Sequence, residues 1–201
     1  MTAILKVDTI QDTSGNNIIN ESSDTITIGA SGDTTNIIGT LQNNGSALIN
    51  GITMADQWRL TTAFTGNAEP ISSNLERNDT QFSHIGSGMS ESSGVFTFPS
   101  TGIYLIRFYH MFQFKDGNAL SRDAKIMHTT NNSSYSAIGL LNRNGLDEGR
   151  DIRSIEAMID VTDISNIKVR FDVTGASTND RTTGDSTLNE TCMTFIRLGD
   201  T

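Results

Sequence analysis

The side chains in this sequence that could do chemistry are few, and their spacing supports little of it. The three histidines, His84, His110 and His128, show no metal-ligand spacing, and there is no Gly-x-Ser-x-Gly elbow, His-Glu-x-x-His motif or phosphate loop. "GSGMSE", Gly86 to Glu91, begins like a dinucleotide fingerprint but has Glu91 where the third glycine belongs, with no βαβ pattern around it. It reads as a loop. His110 lies among aromatic residues and is expected to be a satisfied core or interface histidine rather than a ligand. Cys192 is the single cysteine, which excludes an intramolecular disulfide framework, and its place in an expected strand suits a small buried hydrophobe. Two carboxylate-rich stretches remain, "LDEGRD" with Asp147 to Asp151 and "TNDRTTGD" from Asn179 to Asp185. Both could offer oxygens to Ca²⁺, but neither has the spacing of a known calcium loop, and both read as solvated acidic loops. Scattered Asp and Glu could supply a glycosidase pair, but a compact domain of this size normally has no long sugar groove. The expectation is a protein without enzymatic activity, with no catalytic or cofactor-binding residues and no metal beyond the Ca²⁺ just weighed.

Composition narrows the partners. The net charge is −9 and no Lys/Arg cluster occurs, which argues against nucleic acid and anionic membranes, since phosphate is bound mostly by cations. No apolar run approaches the roughly 18 residues that span a bilayer. The start, "MTAILKVDTI", lacks the basic and apolar regions of a secretory signal, so maturation in a reducing cytoplasm is expected. Several Asn-x-Ser/Thr triplets carry no weight in a chain so rich in those residues. Only 35% of residues are hydrophobic and 6% aromatic, and the abundance of Thr, Ser, Asn and Gly favours strands and turns over helices. The fold class is all-β.

The chain changes character near Trp58. Before it there is no aromatic residue, Arg, His or Pro, and Lys6 is the only basic residue; all four types appear after it. Residues 1–56 consist of short β-branched runs broken by Ser-Gly, Asn-Gly and Gly-Asp turn signals, with an uneven recurrence in "NNIIN", "TNIIG" and "ALING". Such a segment cannot bury enough apolar surface alone to offset an ordering cost of roughly 1–2 kcal/mol per residue. It is expected to be a β-rich stalk or attachment segment that folds with other chains, followed at "GITMADQW" by a short helical turn capped by Thr53 or Asp56.

Residues 57–201 read as many short strands of an antiparallel two-sheet sandwich. "DIRSIEAMIDV" sets Ile155, Ala157, Ile159 and Val161 against Ser154, Glu156 and Asp160. "NIKVRFDV" sets Ile167, Val169, Phe171 and Val173 against Lys168, Arg170 and Asp172. "NRNGLDEGRD" and "TGASTNDRTTGDST" read as connecting loops. The stretch "SGVFTFPSTGIYLIRFYHMFQF" differs from these strands. Period two points Tyr104, Ile106, Phe108, Phe112 and Phe114 one way and Ile103, Leu105, Tyr109 and Met111 the other, so both faces are apolar. Phe96, Phe98, Tyr104, Ile106, Phe108, Ile167, Val169 and Phe171 are the expected core.

The run "GVFTFPSTGIYLIRFYHM", through Gly94, Phe96, Phe98, Pro99, Gly102, Tyr104, Ile106 and Phe108, resembles the signature of the complement globular head and its tumour necrosis factor relatives. "ETCMTFIRLGD" is similar to that family's last, central strand, while "VTDISNIKV" stands where the family usually carries a Gly-Asp pair. The resemblance implies a trimeric jelly-roll head, with Ile103, Leu105, Tyr109 and Met111 meeting the next subunit and Arg107 and Gln113 near the wetter edges. Some relatives bind Ca²⁺. Three copies of residues 1–56 would then form an intertwined stalk. The segment "LKVDTIQDTSGNNIINESSDTITIG" with "ADQWRLTTAF" resembles a leader common in structural proteins of tailed phages, particularly marine and cyanobacterial ones. This implies a virion protein assembled in the bacterial cytoplasm, bound to other virion proteins through its N-terminal segment. Its place would be a tail fibre or spike contacting a host surface glycan, or a capsid decoration that cements the shell. A polysaccharide-degrading tail spike is the alternative from outside that class.

Overall fold

The computed structural model describes residues 9–11, 13–15, 17–22, 25–28, 31–38, 41–43, 46–47, 51–115, 121–143 and 149–201. Every regular element among them is a β-strand, and every ladder is antiparallel. The chain forms two compact units, Met1–Asn50 and Gly51–Thr201. The first holds a three-stranded sheet of Thr9–Gln11, Asn17–Ser22 and Thr25–Ile28, and a small hairpin of Gln42–Asn43 with Ser46–Ala47.

The second unit begins before Trp58, and no helical turn forms at the junction. Ala55–Leu60 is a strand between Cys192–Gly199 and Leu75–Arg77. Asp56 caps nothing. Its buried carboxylate accepts the Met89 amide at 2.6 Å and the Trp58 indole N–H at 3.0 Å, and pairs with Arg77 at 3.1 Å. Partners more than twenty residues away outweigh the local capping preference.

Two sheets make the sandwich. The larger runs Thr62–Thr65, Arg181–Asp185, Gly102–Phe114, Cys192–Gly199, Ala55–Leu60, Leu75–Arg77, with Gly149–Val161 added along Gly102–Phe114. The smaller runs Ser90–Ser92, Val95–Thr97, Lys168–Thr174, Arg122–Thr129, Ser136–Arg143. Gly102–Phe114 organises the larger sheet. It pairs residue for residue with Gly149–Val161 on one edge, and on the other with Cys192–Gly199 and then Arg181–Thr182. Gly102 begins this strand at φ +142°, where a Cβ would lie 2.5 Å from the Gly199 carbonyl oxygen, so the glycine of the signature run has a steric reason.

All eight expected core residues are buried, at the centre of a cluster joined by Leu60, Met89, Ile126, Met193 and Phe195. Phe96 meets Trp58 and Phe171 edge-on at 5.6 Å and Phe195 at 5.2 Å, the offset geometry that aromatic quadrupoles favour.

Three polar assignments are corrected. Arg181–Asp185, read as loop, is a strand. Its hydroxyls replace apolar burial: Thr182 Oγ1 lies 3.2 Å from His110 Nε2, and Thr183 Oγ1 donates to the Met111 carbonyl at 3.3 Å. Gly149 to Asp151 begin a strand as well, with Asp151 ion-paired to Arg143 and Arg153, whereas residues 144–148, including Asp147, lie outside the described residues. On Lys168–Thr174 the polar alternates do not face water. Lys168 is buried, donating to Thr97 Oγ1 and the Ile164 carbonyl, and Asp172 is buried against Arg170. Period two therefore identified the strand but not the exposure of its polar side.

Candidate functional site

The outer face of the larger sheet, opposite the core, gathers the strand positions that Gly102–Phe114 does not bury. Register sets Leu105 between Met158 and Ile196, Arg107 between Glu156 and Thr194, and Tyr109 between Ser154 and Cys192, with Met111 opposite Ile152 and Ile103 opposite Asp160. Ile103, Leu105, Tyr109 and Met111 are all half-buried there. Met158 is 71% exposed and Ile152 47%, so no described segment of the second unit covers this side. An apolar face of this extent on a sheet edge and its neighbours is the kind of surface that associates.

Two hollows indent the face. One of about 100 Å³ is lined by Leu105, Arg107, Thr194 and Ile196; the other, about 210 Å³, by Gln57, Arg107, Tyr109, Asn189, Cys192 and Thr194. Arg107 lies between them and is ion-paired with Glu156. Both partners are solvent-exposed, so in a single chain the pair contributes little, at most about 1 kcal/mol. Ile152 and Met158 escaped the sequence reading because they fall among Ser154, Glu156 and Asp160, on a side that looks polar. The available signal was that the polar side of "DIRSIEAMIDV" contains two large apolar residues.

The chemically promising residues do not converge. His84 is exposed with its Nδ1 2.9 Å from Ser83 Oγ, His128 is partly buried, and His110 is fully inside the sandwich. Burial pushes the Cys192 thiol up to about 11, which leaves it protonated and poorly nucleophilic. Among the described residues no three His, Cys, Asp or Glu side chains come together as metal ligands.

His110 packs between the Phe108 and Phe112 rings, at 5.4 and 3.8 Å, and its Nδ1 has no hydrogen-bond partner among the described residues. Burial lowers its pKa from 6.5 to about 3. The unfolded chain therefore binds a proton that the folded one excludes. The His110 contribution is fully present above pH 6.5 and is lost, at roughly 1.4 kcal/mol per pH unit, as pH falls toward 3. Urea unfolding at pH 7 and 4.5 should show a smaller stability difference in His110→Leu than in the wild type. Equal differences would refute this role.

The order of strands, two antiparallel sheets and a central C-terminal strand flanked by the aromatic signature strand decide the architecture. The head is a tumour necrosis factor-like jelly roll. No family model and no curated protein matches the chain. Among solved structures, murine APRIL at pH 5.0 superimposes with TM-score 0.56 at 10% identity, over 72% of this chain and 98% of that one. Eiger TNF from S. frugiperda gives TM-score 0.56 at 10% identity, over 75% and 96% respectively. The likeness to these jelly rolls is one of fold.

Proposed function

We propose that the chain is a non-enzymatic, homotrimeric structural protein of a tailed-phage virion. In this reading the jelly-roll head drives assembly through the outer face of its larger sheet and presents its loops to a host surface glycan, while the first unit attaches to other virion proteins. The observation that carries the assembly is the uncovered apolar face of Ile103, Leu105, Tyr109 and Met111 beside exposed Ile152 and Met158. A jelly roll of this type in solution would hide that face against a neighbouring subunit, because exposed apolar area costs about 25 cal/mol per Å². Support for the virion comes from the likeness of the N-terminal segment to phage structural leaders.

Light scattering of the full chain tests the assembly. A mass three times 21.8 kDa is expected, and a monomeric mass would overturn the trimer. A labelled antibody against the head, applied to intact virions, tests the location. Label on the tail supports a fibre or spike, label over the shell supports a capsid decoration, and particles without label would refute the virion assignment.

A further inference from the structure

A hollow of about 280 Å³ opens at one edge of the head, between the strand Thr62–Thr65, which ends the larger sheet, and the segment 66–73 that follows it. It shares no residue with the two hollows of the outer face. Phe64 and Pro70 give it apolar lining, and Thr65, Asn67, Ser72 and Ser73 give it polar lining. Backbone hydrogen bonds fix its walls. The Gly66 amide donates to the Asp180 carbonyl at 3.1 Å, and Ala68 and Val173 exchange both their bonds at 2.9 and 2.7 Å. The Ile71 amide donates to the Phe171 carbonyl at 2.8 Å, and the Thr61 amide to the Asn74 carbonyl at 2.8 Å. One wall therefore belongs to the larger sheet, while the other is tied to Lys168–Thr174 of the smaller one, and the hollow is formed before anything enters it.

We propose that this hollow binds one ring of an uncharged sugar. The proposal rests on the reading that the head contacts a host surface glycan, and it assigns the place of contact. The volume lies just below the roughly 300–1,000 Å³ of small-molecule sites, which suits a single ring and not an extended chain. A sugar ring carries C–H groups that pack on apolar walls and hydroxyls that both donate and accept. The lining answers both. Beside Phe64 and Pro70 stand the hydroxyls of Thr65, Ser72 and Ser73, none of which is hydrogen-bonded to another described residue. Asn67 Oδ1 accepts the Ala176 amide at 2.9 Å, which leaves the Asn67 NH₂ group as a donor. No charged residue lines the hollow, so a phosphate, sulfate or carboxylate would lose its water there without meeting a counter-charge.

The test applies the full chain to an array of neutral and anionic bacterial polysaccharides. Its affinity for the methyl glycosides of glucose, galactose, mannose and N-acetylglucosamine is measured by saturation-transfer NMR. Ser72→Ala with Ser73→Ala removes two hydroxyls, and Ser73→Trp fills the hollow. Both serines are exposed, so circular dichroism and mass should match the wild type. Binding of a neutral glycan that weakens on the order of tenfold in the double alanine variant, and is lost in Ser73→Trp, supports the site. Binding that both variants retain overturns the site while leaving the glycan contact standing. Binding confined to anionic polysaccharides overturns the uncharged sugar as ligand. No binding to any array glycan or glycoside overturns both the site and the glycan contact. A readout without variants is amide hydrogen exchange, which the bound glycoside should slow in residues 66–73; unchanged exchange there overturns the site.

Discussion

If the proposed trimer forms, replacing Tyr109 or Met111 by Asp is expected to give a monomer of 21.8 kDa in its place. Both side chains leave the Gly102–Phe114 strand on the face opposite the core, half-buried beside Cys192 and Ile152 respectively. A carboxylate there costs the single chain little, because it can still reach water. Inside a subunit interface it would be an unpaired buried charge, worth about 3–5 kcal/mol per copy, or about two to nearly four orders of magnitude in association. The monomer should keep the β-rich circular dichroism of the wild type, since Tyr104, Ile106 and Phe108 on the inner face are untouched. Light scattering with circular dichroism checks both halves. A folded variant that still weighs as a trimer would remove these residues from the interface.

Asp180→Asn should destabilise the head by about 3–5 kcal/mol in denaturant unfolding, with no effect on the outer face. Arg122 and Asp180 form an ion pair at which both side chains are almost wholly excluded from water. Arg122 also lies 4.6 Å over the Phe114 ring. Burial alone would raise the Asp180 pKa, but hydrogen bonds from the Ser177 amide and hydroxyl and from Arg122 outweigh it and hold the carboxyl below its ordinary range. A depressed carboxylate contributes stability above its unfolded pKa and loses it as pH falls through the folded value. Asn keeps the shape and removes the carboxylate charge that faces the guanidinium. Converting both residues to apolar ones, Arg122→Met with Asp180→Leu, should recover most of the loss, because a buried pair gains little over well-packed hydrocarbon. A cost under about 1 kcal/mol for Asp180→Asn would mean that water reaches the pair.

The contrast between these two sites shows what could be read in advance. Tyr109 and Met111 were legible because Gly102–Phe114 is a strand with large apolar residues at both parities, and parity is visible without knowing the neighbours. Asp180 was not legible. It sits in a run of Thr, Asn and Asp that has the composition of a solvated loop, and its partner is 58 residues away. The same failure put Arg181–Asp185 in a loop, made Asp56 a helix cap, and placed Lys168 and Asp172 in water.

From the sequence alone came the all-β class, the change of character near Trp58, the core faces of Val95–Thr97, Gly102–Phe114 and Lys168–Thr174, and the likeness to the complement and tumour necrosis factor heads. The first three follow from the backbone's period of two and from residue type, which act within a few residues, while the likeness rests on the matching run from Gly94 to Phe108. Only the tertiary structure decided which strands are neighbours, that Ile152 and Met158 extend the apolar outer face, that Arg107 lies between two hollows, and which charges are buried. Those outcomes depend on pairing between segments far apart in the chain. Burial is a property of what covers a side chain, and the side chain's own neighbours in sequence do not specify it.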